Sequence, residues 1–353
     1  MGLLIGSILF SVFLGSLVFD ALTDDDDDNG SGDDSAVSGA EGEGGAGGET
    51  PLNTGGGETP VPSGPTSGAS DGSGTPGPDN FEGTDARDQF FGAGGDDVIR
   101  GNGNFDNLGG GGGNDEISGG LGKDVLDGGT GDDSVSGGAW DDALLGGFGN
   151  DRLEGDAGDD VVLGEGGNDT MFGGPGDDVL IGGPGIDVMR GGGGDDAIFG
   201  FELYSAELEP SDFTKIRDSG EIQDVFQSAK VTDSAELSDD GSSDVLEGNA
   251  GDDLLGLGDG DVGFGGGGND AFGVLIDNQD GATPVIADYN AAQDELVLFV
   301  ENIESAGEVT VTEDGGDAII NLDGQVVARV SGAAGGIDAG DVSLVELTPA
   351  AAA

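Results

Sequence analysis

The chain of 353 residues contains no cysteine and no histidine. Without cysteine there is no disulfide, no thiolate zinc site and no cysteine nucleophile, so redox compartment leaves no mark on the sequence. Without histidine, Ser-His-Asp triads, HExxH zinc sites and imidazole general bases fall away together. Basic residues are nearly as scarce, 9 Lys+Arg against 73 Asp+Glu, for a formal net charge of -64. Phosphate recognition depends on basic side chains, so nucleic acid is excluded as a partner and anionic lipid surfaces are disfavoured. Repulsion of that size opposes any compact state unless cations cancel it.

Glycine and aspartate fill the space. There are 79 Gly, and both residue types weaken helices and strands, yet their placing is regular. From Gly83 to Phe199 the chain divides into thirteen consecutive nonapeptides without insertion. The first place is always glycine. The sixth is always aspartate: Asp88, Asp97, Asp106, Asp115, Asp124, Asp133, Asp142, Asp151, Asp160, Asp169, Asp178, Asp187 and Asp196. The eighth is always apolar, from Phe90 and Ile99 to Met189 and Ile198. The fourth is glycine in ten, with Ala86, Asn104 and Trp140 as the exceptions. A shorter block at 239–273 resumes around Asp244, Asp253 and Asp270, and in its shortened unit at 257–264 Val262 falls where the aspartate belongs. A low-complexity linker does not keep three registers over 117 residues.

This phrase resembles the G-G-x-G-x-D-x-U-x unit of haemolysin-type, or repeats-in-toxin (RTX), calcium-binding proteins. The resemblance implies a Gram-negative origin and an all-β fold, a right-handed parallel β-roll solenoid in which two nonapeptides make one coil. The physics agrees. Glycines take the left-handed and tight conformations a turn needs and let carbonyls approach an ion. The x-U-x remainder is a three-residue strand with its middle side chain inward, and coils stacked at about 4.8 Å pile those side chains into two narrow columns. One core residue in nine buries too little to offset about 1–2 kcal/mol of backbone entropy per residue. Calcium, a hard cation taking six to eight oxygens, supplies the difference from aspartates and turn carbonyls. Aspartates 18 residues apart, such as Asp160 and Asp178, fall on adjacent turns of one side. The metal ligands expected are the thirteen sixth-place aspartates with Asp244, Asp253 and Asp270, holding up to about eleven Ca2+ in the first block.

The other segments are expected as follows. Residues 1–22 are a hydrophobic N-terminal segment, apolar or small up to Asp20, either a membrane helix or a signal-like leader, which leaves membrane association open. Residues 23–80 read as a disordered acidic Gly/Ser/Pro spacer. Within it, "GASDG" at 68–72 has no histidine to activate Ser70, and "DDDDNG" at 25–30 has Ala36 where a calcium loop needs glutamate. The roll occupies 81–199. An insertion at 200–238 carries Ile222, Val225, Phe226 and Ala229 at helical spacing, read as a short amphipathic helix that packs on the roll or serves as a binding element. "GDGDVG" at 258–263 matches a nucleotide-loop pattern by chance. Residues 274–353 alternate as strands, with a hairpin signal at Asp323-Gly324, and read as a β-rich cap for the last coil.

The function expected is calcium binding by a secreted or surface-displayed structural or adhesive protein, extracellular in location, whose roll folds on meeting external calcium. The resemblance implies a C-terminal signal for type I secretion machinery, and "DVSLVEL" from Asp341 fits its acid-then-apolar ending. The alternative is a toxin- or hydrolase-like enzyme with a site in the C-terminal tail. The chain lacks histidine and cysteine and has little room for a catalytic domain, so no enzyme is expected. A pore-forming toxin would need further long apolar segments ahead of the repeats.

Overall fold

A computed structural model of the chain describes residues 71–200, 241–276, 281–300 and 306–346. The N-terminal segment, most of the spacer and the insertion's amphipathic stretch lie outside the described residues. All regular elements described are strands, numbered in chain order from β1 (Asp71–Ser73) to β25 (Val342–Glu346). Successive strands alternate between two sheets. The odd-numbered strands to β21 (Glu295–Val300), with β25, form a twelve-stranded sheet; the even-numbered strands to β20 (Val285–Ile286), with β24, β23 and β22 (Gln325–Val330, Asp317–Leu322, Val309–Asp314), form a thirteen-stranded one. Two nonapeptides therefore make one coil of a parallel β-roll.

Register follows from the period. Leu153 pairs with Met171 and Val162 with Leu180, each 18 residues on. The insertion does not disturb it: Met189 meets Leu246 and Ile198 meets Leu255, now 57 residues on. The eighth-place side chains are buried, from Phe90 at 5% to Leu126 and Leu180 at 0%, in one continuous core. Phe81 and Phe90 stack with ring centroids 4.3 Å apart at its N-terminal end.

Two boundaries differ from the sequence reading. The roll begins at Asp71, not at residue 81, because "GTPGPDNFE" at 74–82 already keeps the frame with Gly74, Gly77, Asp79 and Phe81. Its threonine and prolines disguise it as linker. In the shortened unit the sixth place belongs to Asp261, which is fully buried, and not to Val262. One residue is dropped before the aspartate, so Gly263 reaches the core column with no side chain. Leu257 fills the gap; a Cβ on Gly263 would lie 3.1 and 3.2 Å from its two δ-carbons.

The tail forms strands as expected. β23 and β24 pair antiparallel around Asp323 and Gly324, whose φ values of +49° and +82° fit a tight two-residue turn. β21 pairs with β19 (Ala271–Leu275), and β20 with β18 (Val262–Gly267), so the cap continues both sheets instead of crossing the end of the roll.

Candidate metal centre

From Gly92 to Phe199 each turn is shaped by left-handed residues at its second and fourth places; Thr84 and Ala86 of the first nonapeptide are not left-handed. All ten fourth-place glycines have φ between +104° (Gly95) and +150° (Gly167). Asn104 and Trp140 adopt the same conformation, at +75° and +83°, where a side chain costs energy. The turn therefore survives both substitutions.

These turns aim the sixth-place aspartates inward, and all sixteen predicted positions are buried at 3% exposure or less. They form two rows along opposite edges of the roll. One runs Asp88, Asp106, Asp124, Asp142, Asp160, Asp178, Asp196, Asp253, Asp270. The other runs Asp97, Asp115, Asp133, Asp151, Asp169, Asp187, Asp244. Within a row each backbone N–H donates to Oδ1 of the aspartate one coil on: Asp142 to Asp160 at 2.7 Å, Asp133 to Asp151 at 2.8 Å, Asp187 to Asp244 at 2.7 Å. Three residues beyond the predicted set extend the rows. Asp79 donates to Asp97 Oδ1 at 2.7 Å, Asp244 to Asp261 Oδ1 at 2.9 Å, and Asp270 to Asp294 Oδ1 at 3.2 Å. The frame of 74–82 signals Asp79; Asp294 lies in no nonapeptide and could be found only in three dimensions.

The other carboxylate oxygen has a different fate. In Asp97, Asp106, Asp115, Asp124, Asp133, Asp142, Asp151, Asp160, Asp169, Asp178, Asp196 and Asp253, Oδ2 is buried with no hydrogen-bond partner. It looks toward the first-place glycine of its own repeat and a carbonyl of the next coil. A Cβ on Gly128 would lie 2.6 Å from the Gly146 oxygen and 2.7 Å from Asp133 Oδ2. Only glycine leaves that cradle open. Among the described residues no three acidic side chains gather into a metal-holding group; a cation held here would take paired carboxylates and complete its shell with turn carbonyls.

Burial sets the electrostatics. It pushes the carboxyls of Asp151 and Asp253 up to about 6, Asp106, Asp124, Asp133 and Asp178 to about 7, Asp160, Asp169 and Asp196 to about 8, and Asp142 to about 9. The N–H from the preceding coil pulls each down, and in Asp142 and Asp169 the neighbouring carboxylates of the row push up again. A buried polar atom without a partner costs about 1–3 kcal/mol, and more when charged. A handful already matches the whole net stability of an ordinary domain, about 5–15 kcal/mol. A hard divalent cation would satisfy these oxygens and remove the cost.

Outside the buried rows runs an exposed one that the sequence reading passed over. Fifth-place side chains accept from the next coil's backbone, as Asp96 does from Asn114 at 3.0 Å and Asp159 from Asp177 at 2.8 Å. These bonds lock turn to turn.

Residues 73–108, 109–144, 136–171, 145–180 and 172–200 each match the family described as RTX calcium-binding nonapeptide repeat (4 copies). No curated protein matches the chain.

Proposed function

Residues 73–200 are RTX calcium-binding nonapeptide repeats, and from that premise we propose that the roll is a calcium-dependent fold, held together by ions between its coils. The ligands in this reading are the sixth-place aspartates and the turn carbonyls beside them. The observation that carries it is the row of buried Oδ2 atoms without hydrogen-bond partners. The protein works outside the cell or on its surface, where calcium is abundant, and its role there is structural or adhesive. Extracellular modules bind calcium at about 10⁻⁴–10⁻³ M, so the chain stays open inside the cell and folds after export. The acidic charge supports this, since repulsion keeps the calcium-free chain extended for passage through type I secretion machinery. The six described strands of the tail are spent on extending the two sheets, which favours a cap over a catalytic unit.

Calcium titration of the chelated chain, followed by circular dichroism and calorimetry, tests this. A cooperative gain of β signal near millimolar calcium, reversed by chelator and not matched by magnesium, is expected. A chain that is folded in chelator and indifferent to calcium overturns it.

A further inference from the structure

The outer faces of the two sheets are not alike. Seventh- and ninth-place side chains point away from the core on both. On the twelve-stranded sheet they belong to a second apolar cluster that runs from Val125 to Phe299. Leu145, Leu163, Ile181 and Phe199 within it are only 2–7% exposed, so that face has little apolar surface left to offer. On the thirteen-stranded sheet every such side chain from β2 (Asn80–Glu82) to β18 is half-buried or exposed. Three of the six basic residues among the described ones lie there, and each is paired: Arg100 with Glu116 at 2.9 Å, Arg152 with Glu154, and Arg190 with Glu247. Glu82 is the one further charge in these places, so the face is close to balanced on a chain whose net charge is -64.

The order of residues along this face is complementary to its own reverse. Ninth-place ladder partners run over nine strands from Glu82 to Phe264, with Glu154 of β10 (Arg152–Ala157) in the middle. A half-turn about the line of β10 exchanges strands equally far from it on either side. It sets Arg100 opposite Glu247, Ser118 opposite Arg190 and Ser136 opposite Phe172. Charge meets opposite charge, and the two bulkiest remaining side chains meet serines. In the seventh place it sets Val98 opposite Val245. Arg152 and Glu154 lie on the axis, two residues apart on one strand, and reach their counterparts crosswise.

We propose that this face is a self-association surface, on which two copies of the roll pack face to face and antiparallel about a two-fold axis along β10. Such an interface is isologous, the same patch meeting itself, and the charge pattern fixes its register. Nine strands at about 4.8 Å, of up to six residues at about 3.3 Å, make a face of roughly 43 by 20 Å, close to the 800 Å² each partner buries in a standard interface. Each arginine there gains a second carboxylate or a serine from the other copy while keeping its own glutamate. Other approaches are worse. The turn edges present exposed rows that include Asp159 and Asp177 on one side and Asp96 and Asp132 on the other, which repel their like. An anionic partner finds every arginine of the face already matched by a glutamate, and a basic partner finds more charge on those edges.

The absence of cysteine makes the test clean. The full chain is loaded with calcium at about 0.15 M salt, where repulsion between exposed charges is screened beyond about 8 Å, and should sediment as a dimer at micromolar concentration. Glu154→Cys, on the axis, should join to itself through a bis-maleimide spanning about 10 Å, the spacing of packed sheets. Glu82→Cys and Phe264→Cys lie four strands out at opposite ends. Neither should join to itself, because eight strand spacings hold like thiols about 38 Å apart. Mixed in chelator and loaded together, the two should join to each other. Arg100→Glu sets like charges against each other and should cut the crosslinking of Glu154→Cys about tenfold. A loaded chain that stays monomeric overturns the proposal, as do end thiols that self-join, a mixture that does not join, or crosslinking indifferent to Arg100→Glu. Association through the apolar residues 1–22 would ignore this register and so counts against it. Circular dichroism at saturating calcium reports the folding of the roll separately, so a failure of the calcium reading is not mistaken for a failure of this one.

Discussion

The middles of the aspartate rows differ from their ends. In the middle, Oδ1 takes a backbone N–H and Oδ2 has no hydrogen-bond partner, as in Asp124, Asp142 and Asp160. At all four ends the protein supplies a donor to Oδ2 itself. Thr75 N–H donates to Asp79, and the N–H and hydroxyl of Thr84 to Asp88, the hydroxyl at 3.2 Å. At the other ends, Gly258 N–H donates to Asp261 at 2.7 Å and Asn290 N–H to Asp294 at 2.6 Å. An end aspartate has another aspartate of its row on one side only, so an ion there would find one carboxylate fewer; a local hydrogen bond satisfies the oxygen at less cost. In the proposed reading the interior coils would depend on the cation, while the ends satisfy their own oxygens. This marks Asp88, among the predicted metal ligands, as the one least open to an ion.

The sharpest way to break that comparison is to remove one charge from each region. Asp160→Asn should raise the calcium midpoint of folding by about tenfold or more, in line with 1–3 kcal/mol for a buried group. Asp88→Asn should move it less than about twofold, because Asp88 is already held by Thr84. Equal shifts in the two titrations would erase the distinction between end and middle.

Glycines offer a second contrast. Gly128→Ala pushes a methyl group against the Gly146 oxygen and Asp133 Oδ2, and should cost about 2–4 kcal/mol in urea unfolding at saturating calcium. Gly77→Ala, in the first coil, meets nothing within 4 Å and should stay within about 0.5 kcal/mol of the parent.

Acid should act in opposite directions on the calcium-free and calcium-loaded chains. Interior carboxyls rise from 3.8 to between about 6 (Asp151) and about 9 (Asp142). A folded-state pKa above the unfolded one stabilises the fold below pH 4 and loses that stability as pH climbs through the raised values. In chelator, β signal should therefore be greater at pH 3.5 than at pH 8. Calcium must displace the same protons, so its midpoint should rise between pH 8 and pH 6, with proton release visible in calorimetry across buffers of different ionisation enthalpy.

The smallest effect concerns a turn. Trp140 is 62% exposed and left-handed. Trp140→Gly should gain about 1 kcal/mol in thermal unfolding, because glycine carries no penalty at positive φ and little packing is lost.

Much of this architecture was legible beforehand, since a nonapeptide period dictates its own geometry. The glycine places predicted the turns, the eighth place the core and the sixth place the stacking of aspartates on adjacent turns of one side. Asp323-Gly324 predicted the hairpin. Two readings slipped where the frame was damaged. Proline and threonine made 74–82 look like spacer, and a single deleted residue shifted attention from Asp261 to Val262. In both places the stacking of neighbouring coils, which strict counting cannot see, restores the register.

The sequence by itself determined what repeats: coils of two nonapeptides, aspartates on adjacent turns of one side, and a charge that demands cations. Those features are local and recur every nine residues, so each repeat states them independently. Only the tertiary structure decided what happens where repetition stops: Leu257 filling the column above Gly263, threonines closing the first aspartates, and one outer face buried while the other stays open. Each depends on which residue lies one coil away, 17, 18 or 57 positions along the chain, and that distance is set by packing.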